Sequence, residues 1–147
     1  MKLLLDTSVW VAHLRQGALD SLIAPIRSHF VLRMDAIVAA ELVAGCRSKR
    51  ERRVVATLCR PYERAGRLLS PERGDIHRAA QALSRLRSRG RSLSGSDAGL
   101  LDALIAAVAA RAGALLVTSN ISDFSALARE IPVRVEAFER FRERFLH

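Results

Sequence analysis

Residues 3–9 read LLLDTSV and join a short apolar run to Asp6, Thr7 and Ser8. An apolar run that ends in capping side chains is typical of a buried strand followed directly by a helix. The same stretch leaves the carboxylate of Asp6 in sequence that otherwise belongs to a protein core. A buried carboxylate costs several kcal/mol unless a cation or hydrogen bonds compensate it. Asp6 is therefore a candidate functional residue.

Two further acids have the same unusual surroundings. Glu41 lies in residues 38–43 (VAAELV), and Asp102 lies in residues 100–105 (LLDALI). In none of the three segments does an Arg or Lys stand beside the acid. Convergence on one divalent cation would account for all three carboxylates, and this is the interpretation we favour.

Each acid also has a separate structural explanation. Asp6 has the residue type of a helix N-cap, Glu41 could reach solvent from a buried helix, and Asp102 could pair with a distant Arg. Asp97, which precedes the helix of Asp102, is better explained as a helix cap than as a ligand. These explanations cover one residue each, whereas a shared cation covers three.

Short apolar runs alternate with helical patterns, which predicts an α/β fold with a mostly parallel sheet of four to five short strands flanked by helices. The predicted strands lie near residues 2–5, 30–32, 66–69, 114–118 and 133–135. Helices are predicted over residues 9–14, 20–27, 35–44, 48–58, 71–89, 100–112, 123–129 and 136–145, with Pro61 ending the fourth. Ligands of such folds lie beyond the carboxyl ends of the strands. We therefore expect Asp6 and residues 118–120 to meet at one edge of the sheet.

Length and composition favour one globular domain over the 147 residues. Half of the residues are apolar, so a sizeable core is possible. The chain has no uncharged apolar run of about 18 residues, and its start resembles no signal peptide. We expect a cytoplasmic protein without a membrane segment. Cys46 and Cys59 are the only cysteines, and we expect both to be reduced.

The net charge of +9 comes mainly from arginine. A cluster of five bases lies within residues 47–53. Arginine pairs with phosphate through a bidentate fork, so clustered arginines favour a nucleic-acid partner. The alternative interpretations are a compositional preference for arginine and a solvated helix face.

Four segments together resemble the motifs of PIN-domain nucleases. They are residues 3–9 (LLLDTSV), 39–45 (AAELVAG), 101–107 (LDALIAA) and 117–124 (VTSNISDF). Their order and spacing fit the family, and the length of the chain is similar to that of VapC, the ribonuclease toxin of VapBC toxin–antitoxin pairs. The resemblance implies a single PIN domain over residues 1–147 and a Mg²⁺- or Mn²⁺-dependent endoribonuclease. It also implies an RNA substrate, a VapB-like antitoxin and a homodimer.

The same resemblance assigns roles to individual residues. Asp6, Glu41 and Asp102 match the three central acids of the family. The fourth motif offers Asn120 and Asp123, and the sequence leaves open which of them completes the site. The predicted catalytic residues are thus Asp6, Glu41, Asp102, Asn120 and Asp123, of which all except Asn120 are predicted metal ligands.

Predictions for RNA contact fall on four residues. Thr118 is expected to hydrogen-bond an RNA phosphate or a ligand carboxylate. Arg47, Arg50 and Arg53 are expected to dock the RNA backbone. The rival hypothesis is a non-catalytic PIN-like module that binds nucleic acid or a protein without needing a divalent metal.

Overall fold

The computed structural model describes residues 1–94 and 98–146, and Asp97 lies outside them. Its strands are β1 (Lys2–Leu5), β2 (Val31–Asp35), β3 (Leu68–Leu69), β4 (Leu115–Thr118) and β5 (Arg134–Ala137). Its helices are α1 (Thr7–Gln16), α2 (Leu19–His29), α3 (Ala36–Ala44), α4 (Lys49–Arg64), α5 (Arg73–Ser88), α6 (Ala98–Ala112), α7 (Ile121–Leu127) and α8 (Phe138–Phe145). The strands form one sheet in the order β3-β2-β1-β4-β5, and every neighbouring pair is parallel. The predicted α/β class is confirmed.

Strand β1 is the centre of the sheet because it pairs with β2 on one side and β4 on the other. Leu3, Leu4 and Leu5 are all buried, as expected for a parallel strand covered by helices on both faces. Since all strands run the same way, their carboxyl ends share one edge of the sheet. Asp6, Asp35 and Thr118 lie at that edge.

Helix α6 is apolar around most of its circumference, and residues 103–109 are buried without a break. Five of these seven buried positions are not large: they are four alanines and a valine. Small side chains let helices approach closely, so α6 can pack between α5, α3 and the sheet. Asp102 directly precedes this buried stretch. The packing of α6 therefore places the Asp102 carboxylate towards the carboxyl edge of the sheet.

Helix α4 differs from the sequence prediction. Pro61 was expected to end it, but the helix continues through Arg64. Proline removes one backbone donor and disfavours a helix interior, yet Tyr62 is buried in contact range of Trp10, with ring centroids 6.3 Å apart. Burial of this side chain stabilises the last turn, and Ala65 N–H still donates to the Pro61 carbonyl over 3.0 Å. Tertiary packing therefore outweighs the local propensity.

Two simpler expectations concern thiols and membranes. Cys46 and Cys59 are free thiols, the first partly buried and the second buried. Among residues 1–94 and 98–146, no helix has the length and apolar character needed to cross a bilayer.

Candidate active site

Four acids from separate elements meet at the carboxyl edge of the sheet. Asp6 joins β1 to α1, whereas Glu41, Asp102 and Asp123 lie on α3, α6 and α7. Burial, together with the negative charges of the other three acids, raises the pKa of the Asp102 carboxyl from 3.8 to about 7. Residues far apart in sequence are thus within electrostatic reach of one another.

Two side-chain hydrogen bonds hold the Asp6 carboxylate in place. Its Oδ2 accepts hydrogen bonds from Ser8 Oγ at 2.8 Å and from Thr118 Oγ1 at 2.9 Å. Its backbone occupies the N-cap position of α1, but its side chain accepts no hydrogen bond from the helix backbone. Helix capping alone therefore does not explain this buried acid.

Glu41 is held by the residue that follows Asp6. Thr7 Oγ1 donates to Glu41 Oε1 over 2.8 Å. Burial raises the pKa of Glu41, the Thr7 hydrogen bond opposes that rise, and the charge of Asp6 adds to it. The Glu41 side chain is partly buried and hydrogen-bonded to Thr7. This contact excludes the simple explanation that Glu41 extends into solvent.

In the described part of the chain, no ion pair or hydrogen bond compensates the charge of Asp102. The ion pairs found within the described residues all involve other carboxylates, and no distant Arg pairs with Asp102 there. Burial and three like charges act on its pKa in the same direction, and no hydrogen bond opposes them. A positive charge is the component that would stabilise its ionised form.

The fourth motif forms a connected unit in which Asn120 and Asp123 have different tasks. Asp123 Oδ2 accepts from Asn120 Nδ2 at 3.0 Å, from Ser94 N–H at 3.0 Å and from the Ser94 hydroxyl. Burial would raise the pKa of Asp123, but the hydrogen bonds from Ser94 and Asn120, with the charge of Arg91, hold it below its ordinary value. Of these two residues, only Asp123 carries a charge that acts on Asp102, and Asn120 donates a hydrogen bond to Asp123.

Ser94 is the site residue that the sequence did not reveal. It lies in a stretch rich in Ser and Gly, residues 90–99, where nothing local distinguishes it from Ser92. Only the folded chain brings it beside Asp123. No sequence pattern would have selected it.

Thr118 requires a correction. Its side chain is fully buried. Its hydroxyl donates to Asp6 and accepts from Asn120 N–H over 2.9 Å. Of the two expected contacts, the structure has the one to a site carboxylate and leaves no exposed surface for an RNA phosphate.

The predicted RNA-contacting arginines are exposed at the beginning of α4. Arg47 and Arg50 line a groove of about 830 Å³ that also reaches Glu41, whereas Arg53 does not line it. The apolar part of the groove is formed by Val11, Leu14, Leu19, Leu42, Val54 and Val55. Charged residues of both signs line the groove beside this apolar part, with Arg15, Arg47 and Arg50 opposed by Asp20, Glu41 and Glu51.

The donor chemistry of the site fits a hard divalent cation. The candidate ligands are carboxylates and one amide, and oxygen ligands are those that Mg²⁺ and Mn²⁺ prefer. In the described part of the chain, no three acidic, His or Cys side chains already enclose a metal position. Mg²⁺ in proteins keeps several waters and uses one or two carboxylates together with substrate phosphate, so a closed cage is not required.

Comparisons with known proteins agree with this geometry. The family model of the PIN domain matches residues 3–130. A search of curated proteins found no match. Solved structures are similar over nearly the whole chain, at identities that establish likeness of fold.

Three solved structures illustrate this likeness. VapBC-1 from nontypeable Haemophilus influenzae has a TM-score of 0.71 at 20% identity, covering 95% of this chain and 99% of that chain. DNA-bound VapBC from Salmonella typhimurium has a TM-score of 0.69 at 18% identity, covering 94% and 98%. VapBC-5 from Mycobacterium tuberculosis, a member of the VapBC family of toxin–antitoxin systems, has a TM-score of 0.59 at 22% identity, covering 92% and 96%.

Proposed function

The chain belongs to the PIN domain family, and from that premise we propose that it is a metal-dependent endoribonuclease, the toxin of a type II toxin–antitoxin pair. The observation that carries the proposal is the meeting of Asp102 with three other acids, while no ion pair to Asp102 is found in the described part of the chain. Such an arrangement destabilises the folded protein unless a cation is bound. A structural role would be served better by apolar residues or by a paired Arg.

The proposed reaction is hydrolysis of an RNA phosphodiester bond. The carboxylates proposed to hold Mg²⁺ or Mn²⁺ are Asp6, Glu41, Asp102 and Asp123. A bound cation of this kind lowers the pKa of a water and neutralises charge on the phosphate. Asn120 and Thr118 keep two of these carboxylates in place through the hydrogen bonds described above.

RNA must be attracted by a different part of the protein because four acids repel a phosphate backbone. The net charge of +9 supplies a long-range attraction. Arg47 and Arg50 lie on the groove that contains Glu41, so they are suitably placed to hold phosphates on either side of a scissile bond. Arg53, exposed one turn further along α4, extends this basic surface.

The antitoxin partner is proposed to occupy the same groove. Similar solved structures are VapBC assemblies, which supports a partner of the VapB type. The apolar floor formed in part by Leu14 and Leu42 suits a partner segment with apolar side chains. A segment lying there would cover Glu41, Arg47 and Arg50, and it would therefore block RNA.

A homodimer belongs to the proposal on the family likeness. Large apolar side chains remain exposed on three helices, with Val43 on α3, Ile76 on α5 and Leu100 on α6. Helix α6 packs against both of the others. Light scattering of the purified protein would measure the oligomeric state directly.

The deciding experiment is an RNA cleavage assay with metal titration. Wild type should cut single-stranded RNA with Mg²⁺ or Mn²⁺ and stop when EDTA is added. Asp6→Asn and Asp102→Asn should abolish cutting while retaining the fold, and Glu143→Gln, at an exposed acid on α8 that does not line the groove, serves as the control. Undiminished cutting by both site variants would contradict the proposal. Metal-independent RNA binding without cleavage would instead favour the non-catalytic module.

The antitoxin groove is tested with two matched valine substitutions. Val54 lines the groove and is 43% exposed, whereas Val31 is 42% exposed at the start of β2 and does not line it. Val54→Arg should prevent co-purification with the product of the small neighbouring reading frame that a toxin–antitoxin pair would have. Val31→Arg should not. Equal binding by both variants would exclude the groove as the antitoxin surface.

A further inference from the structure

The segment that follows α5, residues 89–94, is fastened to α7 and the chain after it at three points. Arg89 pairs with Glu130 near the end of this region. Arg91 Nη2 donates to the Ser122 carbonyl at 3.2 Å and to its hydroxyl at 3.1 Å. Ser94 then donates to Asp123 twice. These contacts join the chain that leads into α6 to the chain that carries Asp123.

Three donors converge on one oxygen of Asp123. They are the backbone N–H and hydroxyl of Ser94 and the side-chain amide of Asn120. All three bond Oδ2, and no hydrogen bond to Oδ1 is found within the described residues. A carboxylate that accepts three hydrogen bonds through one oxygen has a fixed plane.

Ser94 and Asn120 reach Asp123 from different parts of the chain. Asn120 caps α7, three residues before Asp123, so it moves together with that acid. Ser94 belongs to the segment before α6, the helix of Asp102. The bond from Ser94 therefore spans the gap between the two elements that supply Asp102 and Asp123.

We propose that Ser94 is a positioning residue of the acidic site, which orients Asp123 towards the cation shared with Asp102. The proposal rests on the function proposed above. The role of Ser94 is comparable to that of residues that hydrogen-bond to metal ligands in other proteins. Removal of such residues typically weakens metal binding by about 10- to 100-fold. Thr7, Ser8 and Thr118 donate hydrogen bonds to Asp6 or Glu41, and all three lie within the four sequence motifs. Ser94 lies outside all four motifs.

The test compares three variants of the full-length protein. Ser94→Ala removes the hydroxyl, Ser94→Thr keeps it, and Ser92→Ala is the control two residues away in the same exposed segment. Ser94 is exposed, so the additional methyl group of threonine can be accommodated. Calorimetric titration with Mn²⁺ alone measures metal affinity without any dependence on catalysis.

In Ser94→Ala we expect Mn²⁺ affinity to fall by about 10-fold, because the backbone N–H bond of residue 94 remains. The value of kcat should fall by a similar factor, and KM for RNA should stay within about 2-fold because the arginines that dock RNA are untouched. Ser94→Thr should recover most of both losses. Ser92→Ala should match wild type.

Wild-type affinity and kcat in Ser94→Ala would overturn the proposal, and so would equal losses in the Ala and Thr variants. If the wild-type protein cleaves RNA in an Asp102-dependent manner, either result rejects Ser94 alone and leaves the function standing. If wild type neither binds Mn²⁺ nor cleaves RNA, the proposed function fails, and the positioning role fails with it.

Discussion

Two acidic regions lie at the carboxyl edge of the sheet, and they differ in how their charge is compensated. The acidic site contains Asp6, Glu41, Asp102 and Asp123, whereas the Arg111 cluster contains Asp35, Glu72, Asp75 and Arg111. Each region has one carboxyl whose pKa burial raises to about 7, namely Asp102 in the first and Asp35 in the second. A raised pKa therefore does not by itself distinguish a functional acid from a structural one.

In the Arg111 cluster, one arginine pairs with two of the carboxylates. Arg111 Nε donates to Asp75 at 2.8 Å, and its Nη1 lies 3.3 Å from Glu72. Asp35 caps α3 by accepting from Ile37 N–H at 2.7 Å. The Arg111 contacts connect α6 to α5, and the Asp35 contact begins α3 after β2, so both tasks are structural.

The acidic site has hydroxyl and amide donors where the other region has a guanidinium. Hydroxyl donors orient carboxylates without neutralising them, so the negative charge remains available to a ligand. What separates the regions is that Arg111 pairs directly with Asp75 and Glu72, whereas no ion pair reaches the acidic site in the described part of the chain.

The largest effect is expected on RNA cleavage. Asp102→Asn should reduce cleavage at least about 10³-fold, because a metal ion contributes several kcal/mol to transition-state stabilisation. Asp35→Asn should remain within about 3-fold of wild type, because asparagine is an equally good N-cap. Initial rates under saturating Mn²⁺ measure both. Comparable losses in the two variants would mean that the regions do not differ in function.

The second effect is on stability. Arg111→Met should lower the free energy of unfolding by about 3 kcal/mol, because it leaves Asp75 buried without its partner. Urea denaturation measures the change. Arg142→Met is the control, since Arg142 and Glu139 form an exposed pair that contributes about 0–1 kcal/mol. A similar small loss in both variants would show that the Arg111 cluster is not a structural anchor.

The third effect is a pH dependence of the metal-free protein. The pKa of Asp102 is about 7 in the folded protein against an ordinary 3.8, so the folded state keeps a proton that the unfolded state releases. Stability should therefore fall as pH rises from about 4 to about 7 and then level off. After allowance for solvent screening, the contribution of Asp102 is about 1–2 kcal/mol.

Urea denaturation in EDTA at pH 5 and pH 8 measures this slope. Asp102→Asn should flatten it in part, and the residual slope should come from Asp35 and Glu41, whose pKa values are raised in the same direction. Mn²⁺ at pH 8 should stabilise wild type more than Asp102→Asn. An unchanged slope in the variant would mean that Asp102 does not bear the uncompensated charge.

The smallest effect is on RNA affinity. If the acidic site has no cation of its own, the arginines of α4 must attract RNA. Arg50→Gln should weaken RNA binding by about 2- to 5-fold and reduce the salt dependence by about 0.7 for a single-strand contact. Fluorescence anisotropy in an Asp102→Asn background avoids cleavage. Arg140→Gln, an exposed position on α8, should change neither quantity, and equal effects would indicate a purely diffuse attraction.

Local patterns were sufficient for most of the fold. The alternation of short apolar runs with helical periodicity predicted all five strands, because burial of each strand depends on its own side chains. The predicted end of α4 at Pro61 was wrong, because the packing of Tyr62 against Trp10 outweighs the free-energy cost of proline in the helix. That contact joins residues far apart in sequence, and no local rule contains it.

The candidate site divides in the same way. Asp6, Glu41 and Asp102 stood out because each acid is visibly out of place among its neighbours in the sequence. Ser94 did not, because its role depends on an acid 29 residues further along the chain. The hydrogen bond from Asn120 to Asp123 was likewise not predicted from the sequence, and which of the two completes the site stays a prediction.

The sequence by itself determined the class of the fold, the order of its elements and the three acids that no neighbouring cation compensates. These are properties of short segments, in which burial and charge conflict within a few residues. Tertiary structure alone decided that Asp75 pairs with Arg111 while Asp102 lies among three other acids without an ion pair in the described residues. Electrostatic and hydrogen-bond energies depend on distances in space, and only the packing of α5, α6 and α7 against the sheet sets those distances.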